Sequence, residues 1–342
     1  MAQASATDVS VGEPGQPAPP RSRPPSRIRA TVRIFATAAL TLLAISVLVF
    51  AAGTFKSPED VARAALGRDA SPEALQAYAQ ERGLTDPLPV RYARWLGDFV
   101  QGDLGVSLVN DQPVADAVIP RMRNTLLLAL VALVIAVPAS VALGAFMARR
   151  RGSPVDLTLL FGSVVLAALP EFVLGIALIM IFAVQLGWFP VDSTAVSFGT
   201  PSEIAAAYVL PALTLVLAMV PHISRIARAS ASESLDTPYV ASATLRGLRP
   251  RRVMWDYGMR NAAVPMVNAV ALNVVYLLGG VIVVEQVFAF PGIGQLLVEA
   301  IGNGDATMVL AIAVILGAMF IVISLIADLL AIYFNPRLRT SS

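Results

Sequence analysis

The sequence contains no cysteine, a single histidine, a single lysine and only 14% charged residues in 342 positions. Without cysteine there is no disulfide, thiolate metal site, iron–sulfur cluster or cysteine nucleophile. The one histidine, His222, stands beside Pro221 with no carboxylate near it in sequence, so a packing or helix-end role is expected rather than catalysis. No glycine-rich loop ends in lysine, no His/Glu pattern fits zinc, and no Gly-x-Ser-x-Gly elbow occurs. Nucleotide hydrolysis is therefore not expected in this chain. The shortage of charge excludes more, because globular proteins carry about a quarter charged residues. With 56% apolar residues, this chain cannot cover two soluble domains with water-compatible surface. A polytopic membrane protein follows. The balance of 25 basic against 23 acidic residues gives no reason to expect nucleic acid.

What is present is a series of hydrophobic runs. Residues 1–29 are rich in proline, including Pro14, Pro17, Pro19, Pro20, Pro24 and Pro25, and read as a disordered tail. A first apolar run, Ile34 to Ala52, follows five arginines and is expected to be an uncleaved transmembrane helix spanning 30–52. Five more spans are expected at about Thr125–Met147, Leu157–Leu186, Tyr208–Ile226, Ala262–Val284 and Met308–Phe334. Pro211 and Pro221 fall inside the fourth, where neighbours must satisfy the carbonyls they free. The expected fold is an all-α polytopic membrane protein of six transmembrane helices. An extracytoplasmic domain over 53–120 separates the first helix from a core over 121–336, and 337–342 form a closing tail.

Arginine placement orients the chain. Basic residues collect in the N-terminal tail, at Arg149–Arg151, from Arg225 to Arg260, and at Arg337 and Arg339. With six spans these segments lie on one side, whereas the loops at about Gly187–Ala207 and Glu285–Thr307 contain no Lys or Arg. The positive-inside rule then makes both termini cytoplasmic. In the outer domain, Pro72–Arg82 reads as a short helix with Ser71 as N-cap and Gly83 at its stop, and Val90–Val100 as a second. Tyr92, Trp95 and Phe99 recur along the latter at packing intervals.

Two stretches carry the functional expectations. Polar groups within spans often mark a pathway. Here they are Glu171 after Pro170, Asn268, Asn273 and Tyr276 in the fifth span, and Asp328 in the sixth. The spacing places Asn273 and Tyr276 on one face with Asn268 offset. Lining of a path and interhelical hydrogen bonding both account for them. The loop between the fourth and fifth spans, about 225–262, is longer than a helical connection needs and is the most basic part of the protein. Within it, Pro238 suits the first turn of a short helix and Gly247 its stop. Ala241, Ser242 and Ala243 let the backbone sit close inside a partner's groove, with Tyr239 and Leu248 as anchors. A helix lying on anionic lipid, served by Arg246, Arg249, Arg251 and Arg252, explains the same residues.

At this loop the sequence resembles the inner-membrane permease subunits of ABC importers. Their coupling segment reads Glu-Ala-Ala, three residues, Gly, and the matching positions here are Ala241-Ser242-Ala243 and Gly247, with the acidic residue and first alanine replaced. Further segments resemble the B-type permeases of the dipeptide, oligopeptide and nickel importers: Gly102–Ser107, Glu285–Phe288 with Phe290-Pro291-Gly292-Ile293-Gly294, and Asp328-Leu329-Leu330 with Asn335-Pro336-Arg337. The resemblance implies a type I importer permease fold working with a second homologous permease, two ATPase subunits that bind ATP and magnesium, and an extracytoplasmic substrate-binding protein. It implies no cofactor and no metal in this chain. Pro238 to Leu248, including Arg246 and Gly247, would couple to an ATPase, while Glu285, Phe290, Pro291, Gly292 and Gly294 would face the binding protein. The implied cargo is a di- or oligopeptide, with a metal chelate or other peptide-like solute, or a secondary carrier, as the alternatives.

Overall fold

The computed structural model describes residues 27–53, 57–67 and 69–334. Most of the tail expected over 1–29 and the closing tail over 337–342 lie outside the described residues, as does the side chain of Asp328. Among the described residues the regular elements are helices, with one isolated antiparallel bridge between Val106 and Pro113. In chain order they are α1 (Arg27–Gly53), α2 (Pro58–Leu66), α3 (Pro72–Glu81), α4 (Leu88–Val100), α5 (Val114–Arg149), α6 (Pro154–Ala168) and α7 (Glu171–Leu178), which runs on as π-helix over Ile179–Gln185. After a 3₁₀ turn at Thr194–Val196 come α8 (Pro201–Leu235), α9 (Pro238–Leu245), α10 (Pro250–Arg252) with a π-helical continuation Val253–Met259, α11 (Arg260–Val287), α12 (Ile293–Asn303) and α13 (Ala306–Phe334).

Local sequence explains many of the boundaries. Ser-Pro pairs start α2, α3 and α6: the hydroxyls of Ser57, Ser71 and Ser153 accept from the amides of Asp60, Ala74 and Asp156, and proline takes the first helical position. At the start of α8 the Glu203 carboxylate reaches back to the Thr200 amide at 2.8 Å. Helix α3 ends as expected near Gly83, whose φ of +62° allows Gly83 N to bond Gln80 O and Leu84 N to bond Ala79 O.

Among the described residues, α5, α8, α11 and α13 are each long and apolar enough to cross a membrane. α1 contributes the apolar stretch Ala36–Ala51 and packs along α13, where Gly317 meets Leu42 and Ile45. The expected third span, Leu157–Leu186, is not one straight helix. It breaks between α6 and α7 with a 103° bend, because Leu169 and Pro170 both adopt extended backbone. Proline disfavours helical geometry at the residue before it, and that is Leu169. Pro211, by contrast, sits inside α8 without breaking it. The carbonyl it frees, that of Ala207, accepts the Ser193 hydroxyl at 2.8 Å. The fourth span also runs beyond both expected ends, and much of the expected loop after it is helical.

The centre of the bundle is the α5–α8 contact, built from small residues. A Cβ placed on Gly144 would lie 2.5 Å from Ala227 Cβ and 2.7 Å from the Ser224 carbonyl, so the two backbones approach as closely as glycine permits. Outside the bundle, α2 and α3 enclose Val61, Ala79 and Leu84. Burial pushes the Tyr78 phenol above its usual value, keeping it neutral to donate to the Leu108 carbonyl. Polar contacts on two sides help fasten this small domain to the bundle. Ser107 donates to Asp305 at 2.5 Å, and Tyr92 meets Ser46 of α1 at 2.8 Å within an aromatic group of Phe50, Tyr92, Trp95 and Phe99.

Candidate functional site

Three groups of residues expected from the sequence occupy three parts of the bundle. The first is α9. Thr237 has extended backbone, Pro238 takes the first turn and Gly247 adopts φ +78°. Gly247 N bonds Thr244 O at 3.0 Å and Leu248 N bonds Ala243 O at 3.4 Å, the paired bonds that terminate a helix at a left-handed glycine. Val240 and Ala243 are buried and seat the helix on the π segment 253–259. Tyr239 reaches the same segment, its hydroxyl donating to the Tyr257 carbonyl at 3.2 Å. Pro238, Tyr239, Ala241, Ser242, Arg246 and Gly247 are exposed, and Leu248 is half-buried. Of the expected small-residue trio, Ala243 therefore points inward and serves the helix's own seat. Leu245 was not among the expected residues. It is 88% exposed and is the large apolar side chain that α9 presents most openly. The signal was available as an aliphatic residue in the last turn of a short helix with a hydroxyl-rich face.

The second group lies along α11. Asn268, Leu272, Tyr276, Gly279 and Val283 are all exposed, and at about 100° per residue they fall within a sector of about 80°. Tyr276 is 78% exposed and borders a cavity of about 450 Å³ with Gly279, Leu316 and Phe320. Asn273 does not share this stripe. It is buried and donates to the Ala269 carbonyl of its own helix at 2.8 Å. The facing inferred from spacing is thus corrected: Asn268 and Tyr276 lie together, and Asn273 is turned inward because α11 buries that side against its neighbours. Glu171, at the start of α7, flanks the stripe, with Oε1 3.2 Å from where a Cβ on Gly280 would lie. It also borders a cavity of about 290 Å³ formed by Leu166–Pro170 and Ala218.

The third group is the turn between α11 and α12. Glu285, Phe290, Pro291, Gly292 and Gly294 are all buried, so these side chains shape the turn from beneath and present nothing to an outside partner. The reason is a network that closes from a distance. Glu285 accepts from the amides of Gly294 at 2.7 Å and Gln295 at 3.1 Å, capping the first turn of α12. The Thr125 hydroxyl donates to Glu285 at 2.5 Å and accepts from Ile293 N at 2.9 Å. Asn124 donates to the Pro291 carbonyl at 2.9 Å. A Cβ on Gly292 would fall 2.0 Å from Glu285 Oε1, so any larger residue must displace that carboxyl group. Thr125 and Asn124 were missed in the sequence because nothing local links them to a turn 160 residues away.

None of these groups assembles a catalytic constellation. They offer one exposed short helix, one exposed and largely apolar stripe bearing Asn268 and Tyr276, and one rigid turn, which suits binding and motion. Comparison with known proteins agrees. Residues 140–340 match the binding-protein-dependent transport system inner membrane component, and residues 27–129 match the N-terminal region of the same class of membrane component. The chain is 35% identical over 268 residues to the oligopeptide transport system permease protein AppB of Bacillus subtilis, covering 77% of this chain and 84% of that protein. It is 36% identical over 299 residues to the glutathione transport system permease protein GsiC of Escherichia coli K12, covering 87% and 95%. It is 32% identical over 284 residues to a probable peptide ABC transporter permease protein, y4tP, of Sinorhizobium fredii, covering 83% and 90%. Matched over most of its length in this way, the chain belongs to the family of binding-protein-dependent transport system inner membrane components and is a membrane-embedded permease subunit.

Proposed function

We propose that this chain forms half of the translocation pathway of an ATP-driven peptide importer in the plasma membrane, with both termini cytoplasmic. The observation that carries the reading is α9: a short helix held on a buried base of Val240 and Ala243, with Tyr239, Ala241, Ser242, Leu245, Arg246 and Gly247 facing outward. Its basic neighbours Arg246, Arg249, Arg251 and Arg252 support a cytoplasmic position. There α9 docks into a groove on one of two ATPase subunits, with Leu245 as an apolar anchor. Closure of the ATPases moves α9 and the helices bound to it as a rigid body.

A second, homologous permease supplies the other half of the path. Asn268 and Tyr276 line it on this side, with Glu171 at its edge and Asn273 supporting from within. Amide and phenol groups can bond the peptide backbone of many cargoes without selecting a charge, which leaves selectivity to an extracytoplasmic binding protein. That protein docks on the surface around the α11–α12 turn, whose shape Glu285, Phe290, Pro291, Gly292 and Gly294 maintain. Peptide is favoured over a metal chelate by the cargoes named for the oligopeptide and glutathione permeases.

The test is uptake of labelled di- and tripeptides into proteoliposomes holding the complete complex, with its binding protein outside and ATP inside. Saturable uptake that needs ATP and the binding protein is expected. Uptake of a nickel chelate without peptide would transfer the reading to the chelate, and gradient-driven uptake by this chain alone would overturn it.

A further inference from the structure

Asp156, at the first turn of α6, is wholly buried, and its carboxylate is held on both oxygens by Arg228 of α8, Nε to Oδ1 and Nη2 to Oδ2 each at 2.6 Å. The Gly152 amide adds a bond to Oδ2 at 2.9 Å, and the Ser153 hydroxyl caps the same turn. Arg228 stands in the last turns of α8, beside Ala227 and Ala231, which pack with Ala145, Ala148, Met254 and Met259 in one cluster. The chain then passes from α8 through Asp236 and Thr237 directly into α9. The far end of α6 is the 103° bend at Leu169–Pro170, where the cavity beside Glu171 lies.

We infer that Asp156 and Arg228 are positioning residues that carry movement of α9 through α6 to the bend at Pro170 and the Glu171 side of the path. The inference rests on the reading of α9 as the ATPase dock. Three observations join in it. The pair joins the first turn of α6 to the end of α8 that leads into α9, at one end of a contact that α6 keeps along α8 as far as Ala218, beside the Leu166–Pro170 cavity. Its geometry is bidentate and planar, which fixes direction as well as distance. For stability alone a buried ion pair is a poor device, since apolar residues of the same volume serve as well. The neighbouring Arg151–Asp236 pair is exposed on both sides, and screening leaves it a minor contributor. Glycine-tight packing of α5 on α8 at Gly144 makes the block behind the pair rigid, and the Asp156–Arg228 pair is a buried polar connection from that block into α6.

The experiment uses the assembled complex and compares peptide uptake per ATP hydrolysed in Asp156→Asn, Arg228→Lys and the exchange D156R/R228D, with Leu245→Glu as a separate test of docking. Asn and Lys each lose one of the paired contacts, and a fall of at least about fivefold in uptake per ATP is expected while hydrolysis continues. The exchange is expected to regain part of it. Because the chain has no cysteine of its own, D156C/R228C can be joined by a short bifunctional methanethiosulfonate, and the joined and reduced samples of one preparation compared. Coupling restored by the link and lost on reduction supports transmission, even if Asp156→Asn fails to assemble. Equal coupling in both states overturns it. Uncoupling by Leu245→Glu with none by the Asp156 and Arg228 variants refutes this inference alone, and no uncoupling by either set refutes the docking reading with it.

Discussion

Replacing Gly292 by alanine isolates the network beneath the α11–α12 turn. Gly292 has extended backbone, φ −110° and ψ 178°, which alanine also adopts, so no conformational penalty arises. The cost is steric. The new methyl would stand 2.0 Å from Glu285 Oε1, 2.1 Å from Cδ and 2.5 Å from Oε2, and the carboxyl group must leave its place. In doing so it weakens three bonds, those from Thr125 at 2.5 Å, Gly294 at 2.7 Å and Gln295 at 3.1 Å. A hydrogen bond contributes about 0.5–1.5 kcal/mol net and a buried partner left unpaired costs about 1–3 kcal/mol, so partial recovery after the shift leaves a loss of about 3–4 kcal/mol. Glu285→Ala, which strands two buried amides, costs about 3 kcal/mol by the same reasoning. With the carboxyl group gone, Gly292→Ala has nothing to strike and should add about 0.5 kcal/mol or less, a coupling of about −3 kcal/mol in the double-mutant cycle. The assay is the thermal aggregation midpoint of the detergent-purified protein, where at about 2–4 °C per kcal/mol the single Gly292→Ala change lowers the midpoint by roughly 6–16 °C. If Gly292→Ala costs as much in the Glu285→Ala background as alone, the clash is not the cause and the network is misread.

Three further outcomes are expected. Gly247→Arg should insert and assemble yet lose uptake while ATP hydrolysis continues, because it adds bulk to the exposed end of α9 and a left-handed penalty of about 1–2 kcal/mol; retained peptide uptake in proteoliposomes would show that α9 is not the coupling helix. Asp305→Ala removes both the cap on α13, through Met308 N at 3.1 Å, and the bond to Ser107. The cap alone contributes about 1 kcal/mol, and limited proteolysis should cut the 57–113 domain faster while the bundle stays protected. Gly144→Leu must push α5 from α8 against the Ser224 carbonyl, and unlike Gly162→Leu, where space is open, it should abolish a monodisperse peak on size-exclusion chromatography.

How much of this was legible in the sequence depended on whether the cause was local. The bounds of α9 follow from Pro238 and Gly247 and could be read directly, as could Ser71 and Gly83 around α3. Proline inside an apolar run is ambiguous by itself. Pro211 keeps its helix because Ser193, from a preceding loop, takes the freed carbonyl, whereas at Pro170 the Leu166 carbonyl is taken by the Leu169 amide at 3.3 Å in a tightened last turn and the helix ends. Which face of α11 turns inward is decided by the helices around it, so spacing alone paired Asn273 with Tyr276, and packing paired Asn268 with Tyr276 instead. Glu285 looked like an outward acid because its partner Thr125 lies 160 residues earlier, and Asp156 gave no sign of Arg228 across two helices.

The central claim is that this permease works as one part of an ATP-driven importer. Affinity purification of the chain from gently solubilised membranes, with mass spectrometry of what accompanies it and an ATPase assay on the product, tests that most directly. Two ATPase subunits and a homologous permease, with hydrolysis stimulated by peptide-loaded binding protein, are expected. A stable chain recovered alone, without ATPase activity and able to move peptide down an ion gradient, would contradict it.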